Sequence, residues 1–149
     1  MLILLATAAA VLALDLATKA AASHLLEPGH PIPVLGEFLR LTLVHNTGAA
    51  FGLFPGSRLA FIVFSAAAIA LILALYFRLP ARSRLQLAAM GGLLGGAAGN
   101  LHDRVRLGWV VDFIEIGVGR YHWPVFNLAD VAVTGGVALL LLAVARRQT

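Results

Sequence analysis

The sequence predicts an all-α membrane protein whose single domain, residues 1–149, crosses the bilayer four times. Three observations carry that expectation. The chain is 60% hydrophobic and only 12% charged, about half the charge a soluble domain of this length carries. Four apolar segments, 1–22, 59–77, 85–101 and 128–145, each approach the ~20 residues a helix needs to span hydrocarbon. Basic residues without acidic neighbours crowd two places: Arg78-Leu79-Pro80-Ala81-Arg82-Ser83-Arg84 between the second and third segments, and Arg146-Arg147 after the fourth. The positive-inside rule assigns both to the cytoplasm. Both termini are then inside, and residues 23–58 and 102–127 are outside.

Composition also sets exclusions. The absence of cysteine removes disulfides, thiolate metal sites and a cysteine nucleophile. A net charge of +4 fits arginines anchoring loop ends, and no basic stripe with interleaved aromatics points to nucleic acid. The outer segments also hold Arg40, Arg58, Arg104, Arg106 and Arg120. Orientation therefore rests on the crowding of the inner arginines at span ends and their lack of acidic neighbours.

In the first segment, Asp15 and Lys19 stand four apart with the acid first, the favourable order for an ion pair on one helix face. Either the pair neutralises itself near the interface or one member reaches into a site. Lys19 is expected to snorkel. The alternative for this segment, a cleaved signal peptide leaving at Ala20-Ala21-Ala22, lacks a basic leader and has to carry both charges. Residues 23–58 are too polar and too rich in Pro and Gly to span. Residues 38–45 fit a strand with Arg40 and Thr42 on one face and Leu39, Leu41 and Leu43 on the other. That strand leads into Asn46-Thr47-Gly48-Ala49-Ala50-Phe51-Gly52, where small residues let backbone approach a neighbour or ligand. Asn46 is a turn former or a polar contact to a bound peptide. The second segment has Ser65 as its only hydroxyl before Tyr76 and reads as scaffold. Gly91, Gly92, Gly95, Gly96 and Gly99 in the third give overlapping small-xxx-small pairs, which allow close helix packing in lipid. They lead to Asn100, Asp103 and Arg104.

The chemistry concentrates in Trp109 to Asp130. Asp112 sits in an apolar run, Val110-Val111-Asp112-Phe113-Ile114-Glu115-Ile116. Asp130 follows Pro124 and Asn127 where the fourth segment begins. Carboxylates beside hydrocarbon are costly and mark functional sites. At 1.5 Å per residue, Asp15 lies roughly 21 Å from the inner end of its span, and Asn100 and Asp130 each about 24 Å from theirs. All three share one level near the outer boundary, which is the signature of a single site.

Two aspartates that meet cannot both ionise cheaply, so acid and base coexist and can activate water against an amide. Ser23, Ser57, Ser65 and Ser83 lack the setting of a serine nucleophile. His24, His30, His45, His102 and His122 show no zinc-ligand spacing and read mostly as loop residues. A proton or cation pathway would show repeats and midplane polar groups, which this chain lacks. A mere scaffold leaves the shared level unexplained.

Five blocks complete the reading: Asp15-Leu-Ala-Thr-Lys19, Asn46-Thr-Gly-Ala-Ala-Phe51, Gly95-Gly-Ala-Ala-Gly-Asn-Leu-His-Asp-Arg104, Val111-Asp112-Phe113 and Phe126-Asn127-Leu-Ala-Asp130. In this order, across nearly the whole chain, they resemble the lipoprotein signal peptidases, the type II bacterial signal peptidases. His102 departs from the apolar residue common at its place, and the chain starts almost at once with its first span. The resemblance implies four transmembrane helices with a small extracytoplasmic β-cradle. It implies an intramembrane aspartic endopeptidase of the bacterial inner membrane that cuts diacylglyceryl-modified prolipoproteins before the lipid-bearing cysteine, near the outer leaflet. Asp112 and Asp130 match its catalytic dyad. Asp15, Lys19, Asn46, Gly48, Asn100, Arg104 and Asn127 fall in the matched blocks as supporting or substrate-binding residues. The expected partners are the prolipoprotein and membrane phospholipid, with no nucleic acid, no cofactor and no metal, and the chain is expected to act as a monomer.

Overall fold

The computed structural model describes residues 1–48, 58–78 and 83–145. Residues 49–52 of the small-residue turn, 79–82 of the basic turn, and Arg146-Arg147 lie outside the described residues. Among the described residues four helices form, α1 (Leu2–Leu25), α2 (Arg58–Arg78), α3 (Arg84–Arg106) and α4 (Leu128–Ala145). By length and composition α1 and α2 are able to cross a membrane, while α4 is apolar but shorter. Much of the helix surface is apolar and faces outward: Leu59, Val63, Phe64, Leu71 and Phe77 of α2 are all exposed. Patches of that extent mark a surface that water does not cover in use.

α3 is the central helix and packs against α1, α2 and α4. Its glycines explain how. A Cβ at Gly95 would stand 2.5 Å from the carbonyl oxygen of Ala8 on α1, and one at Gly96 would stand 2.6 Å from that of Ala129 on α4. Neighbouring glycines thus serve two helices on two faces, and any side chain would push the backbones apart. Leu4 and Ala8 meet Gly91 and Gly95 in step, so α1 runs parallel to α3. Ala129 meets Gly96 and Leu93 meets Gly136, so α4 runs antiparallel. α2 is antiparallel too, with Arg58 donating to the carbonyls of Arg104 and Val105 while Ile72 packs by Met90.

α3 opens on a capping box, in which Ser83 Oγ accepts from the Gln86 N–H and Gln86 Oε1 accepts from the Ser83 N–H. It runs beyond the apolar segment 85–101, so Asn100, His102, Asp103 and Arg104 are helical. Termination comes at Gly108, whose φ of +91° takes the left-handed turn that ends helices. The N–H groups of Leu107 and Gly108 both donate to the Asp103 carbonyl.

A four-stranded antiparallel sheet caps the same end of the bundle: β1 (Ile32–Leu35), β2 (Leu39–Asn46), β3 (Val110–Val118) and β4 (Tyr121–His122), in that spatial order. The strand expected at 38–45 is β2, but its faces differ from the expected alternation. Leu41 opposes Ile114 while Val44 opposes Asp112, so β2 spends one extra residue there. This bulge buries Thr42 and Leu43 together, at 8% and 7% exposed, and Leu43 leaves the expected alternation to pack with Val111 and Phe113. Arg40 forms a bidentate pair with Glu115 on β3. Ala22, Leu26, Leu43, Val111 and Phe113 form the small core that joins α1 to the sheet. The histidines are another correction. His24, His45, His102 and His122 lie on α1, β2, α3 and β4, leaving only His30 in a turn.

Candidate active site

The start of α4 builds the first part of the site. Asn127 is the residue before the helix, and its Oδ1 accepts from the Asp130 N–H at 3.0 Å. The Asp130 carboxylate reaches back and its Oδ2 accepts from the Asn127 N–H at 3.2 Å. This Asn-x-x-Asp exchange is a reciprocal cap of the capping-box kind, satisfying two backbone donors at the helix start. With Oδ1 so engaged, the Asn127 side chain has only its NH2 to offer, and Nδ2 donates to Asp112 Oδ1 at 2.7 Å. One asparagine therefore holds both aspartates, one by its backbone and the other by its side chain.

Two further amides complete the setting. Asn46, at the end of β2, accepts from the Gly48 N–H on Oδ1 and donates from Nδ2 to Asp112 Oδ2 at 2.9 Å. Asn100, on the last turns of α3, donates from Nδ2 to Asp130 Oδ1 at 2.8 Å. Each of the four carboxylate oxygens thus faces an N–H donor. Asp112 and Asp130 line one cavity of about 310 Å³, together with Asn46, Gly48, Asn100 and Arg104. Arg104 lies with its guanidinium 5.1 Å from the ring centre of Phe61, a cation–π contact that anchors it to α2 beside the cavity. Trp123 and Phe126, from the strand-to-helix connection, form the apolar wall.

Burial is the main influence on Asp112, which is 2% exposed. Desolvation, reinforced by the neighbouring Asp130 charge, pushes its carboxyl up to about 6 against the pull of the Asn46 and Asn127 donors. A carboxyl at that position keeps a proton available near neutral pH.

Behind Asn100 lies a second buried layer. Lys19 is not a snorkelling interfacial lysine: it is 3% exposed, and its ammonium contacts Asp15 Oδ2 at 2.8 Å, Asp103 Oδ2 at 3.0 Å and Asn100 Oδ1 at 2.9 Å. The snorkelling expectation fails because α3 brings two acceptors to a lysine that the sequence shows paired with one. Asp15 is also buried, and its Oδ1 accepts from the Ala129 N–H at 2.9 Å, capping α4 from another helix. Its carboxylate lies against Gly99, where any Cβ would collide with it. Asp15 and Lys19 thus lie behind the amide layer, and neither lines the cavity between the aspartates. Asp103, absent from the expected site residues, belongs to this layer and accepts from the Val111 N–H as well as from Lys19. The signal for it was its spacing of three from Asn100, which places both on neighbouring faces of one helix turn.

A bundle of apolar helices whose end holds two aspartates over a shared cavity is the architecture of a membrane aspartic peptidase. The family model for signal peptidase (SPase) II matches residues 7–146, and the chain belongs to that family. The lipoprotein signal peptidase of Moorella thermoacetica is 43% identical over 130 residues, covering 87% of this chain and 84% of that one. That of Pelotomaculum thermopropionicum is 44% identical over 135 residues, covering 91% and 86%. Two solved bacterial membrane enzymes share the fold. One has a TM-score of 0.90 at 29% identity, covering 98% of this chain and 89% of that one. The other has a TM-score of 0.85 at 30% identity, covering 95% and 91%.

Proposed function

We propose that this chain removes the signal peptides of diacylglyceryl-modified prolipoproteins as an aspartic endopeptidase, cutting before the lipid-bearing cysteine, with Asp112 and Asp130 as its catalytic dyad. One observation carries the assignment of the dyad. The two carboxylates share a cavity, and all four of their oxygens face N–H donors. A proton on either carboxyl therefore has no acceptor among those amides and turns to the cavity. There the protonated member donates to the scissile carbonyl oxygen while the ionised member takes a proton from water. The water oxygen bonds to the carbonyl carbon, the C–N bond breaks, and the leaving amine receives a proton from the dyad.

Four spans suit this reading. At 1.5 Å per residue α1 and α3 are about 36 and 35 Å long and α4 about 27 Å, against roughly 30 Å of hydrocarbon. The alternating directions of the four helices are those of successive crossings. With Arg78 and Arg84 at the opposite end from the dyad, the positive-inside rule puts the site toward the outer leaflet and both termini in the cytoplasm. An apolar groove of about 560 Å³ between α2, α3 and α4 begins at Ala97 and Val133, one turn from Asn100 and Asp130. It offers room for an acyl chain or an apolar signal segment, the kind of remote binding that positions a reacting amide.

Purified Asp112→Asn and Asp130→Asn proteins, checked for intact folding by thermal unfolding, are expected to leave lipid-modified preprotein uncut. Near-normal turnover by either variant would overturn the dyad.

A further inference from the structure

Three asparagines hold the dyad, and what stands behind each of them differs. Asn46 Oδ1 is held by the Gly48 N–H and Asn127 Oδ1 by the Asp130 N–H, both neutral backbone donors. Asn100 Oδ1 is held instead by the Lys19 ammonium at 2.9 Å, with Asn127 Nδ2 also within reach at 3.1 Å. A turned Asn100 amide would set its NH2 against an ammonium and its oxygen against a carboxylate, repulsive contacts at both ends. Lys19 itself has no freedom to move aside, because Asp15 and Asp103 take its other contacts.

We propose that Lys19 is a positioning residue for peptide hydrolysis: by occupying Asn100 Oδ1 it fixes the amide so that Nδ2 donates to Asp130, and it thereby makes Asp130 the carboxylate that takes the proton from water. The inference rests on the dyad reading above. It follows from an asymmetry between the aspartates. Asp130 connects through one polarised amide to a buried cation, a charge-assisted chain stronger than a neutral one. The amides on Asp112 end on neutral backbone. Asp112 is also the more deeply buried of the two, which favours the proton on its side. Among the described residues, Asp15 from α1 and Asp103 from α3 face Lys19, with His102 Nδ1 3.4 Å from Asp103 Oδ1 and Arg106 lining a cavity with Lys19 and Asp103, and Asp112 from β3 and Arg104 from α3 share the cavity with Asp130.

A double-mutant cycle between Lys19→Met and Asn100→Ala, read as kcat, KM and the pH profile of kcat/KM alongside thermal unfolding, tests this. Lys19→Met is expected to lower kcat about tenfold to hundredfold. KM stays nearly unchanged, because Lys19 does not line the catalytic cavity. The acid limb of kcat/KM moves to higher pH, because loss of the cation makes the pair's base harder to ionise. In the Asn100→Ala background the same substitution is expected to cost stability but no further activity. Should Lys19→Met fail to fold, Lys19→Met with Asp103→Asn restores the cluster's formal charge and carries the same comparison. Additive losses of kcat, or an unmoved acid limb, overturn the positioning role. The dyad reading fails separately, through cleavage that survives Asp130→Asn.

Discussion

Asn127 performs two jobs, and replacing it by alanine and by serine separates them. Its Oδ1 caps α4 at 3.0 Å from the Asp130 N–H, and its Nδ2 donates to Asp112 at 2.7 Å from a fully buried position. Losing a cap costs about 1 kcal/mol. Losing a hydrogen bond to a charged group costs about 1.5–3 kcal/mol. Asn127→Ala forfeits both, a sum of about 2.5–4 kcal/mol. Asn127→Ser keeps a capping oxygen, since serine caps as well as asparagine, but its short hydroxyl cannot also serve Asp112. At roughly 2–4 °C per kcal/mol for a chain of this size, serine should melt a few degrees above alanine and still below the parent. In turnover the two should be equally poor, roughly 10²-fold down, because a misplaced carboxylate is what both have in common. Thermal unfolding in detergent and cleavage of lipid-modified preprotein supply the two readouts. A serine variant with parental turnover would show that the Asn127–Asp112 bond does not position the dyad. Equal stability of the two variants would show that the side chain does not cap α4.

Two other expectations follow from the same site. Burial raises the Asp112 carboxyl from its usual value of 3.8 to about 6, so the folded protein holds a proton there that the unfolded chain releases. Stability from this group is therefore greatest below the lower value and falls as pH rises through the window between them, by about 3 kcal/mol in total. Asp112→Asn should abolish that slope and unfold at a higher temperature than the parent at pH 7; an unchanged pH dependence would contradict the burial argument. Chelators should leave cleavage intact, since the proposed chemistry runs through carboxylates and amides. Activity lost to EDTA and restored by zinc would refute that.

Much of this arrangement could be read from the chain, because the relevant signals are local. Apolar length gave the helices, and counting residues along them put Asp15, Asn100 and Asp130 at one level, where Asn100 donates to Asp130 and Lys19 bridges Asn100 to Asp15. The Asn127-x-x-Asp130 spacing is itself a capping signature. What escaped the sequence depends on tertiary meetings. The β2 bulge exists because β2 and β3 pair over unequal lengths between Leu41 and Val44, a property of two strands that neither shows alone. Lys19 reads as an interfacial lysine until α3 supplies Asp103 and Asn100. Asp103 looks like the polar end of a helix until Val111 folds back to donate to it.

The glycine stripe links packing to chemistry. Gly95 and Gly96 let α1 and α4 approach one helix on two faces, so that side chains from three helices can bond within a single layer. Only at that separation can Asp15 reach the Ala129 N–H, Lys19 reach Asn100 and Asn100 reach Asp130. Each bond in the chain also fixes the direction of the next, since an amide whose oxygen is occupied has only its NH2 left to give. The carboxylates are thus oriented by donors whose own orientation is settled several residues away, by backbone N–H groups and a buried ammonium. Helix spacing is therefore part of the geometry of the proposed dyad, and a change that widens α1 from α3 should act on Asp130 through Asn100 before it unfolds the bundle.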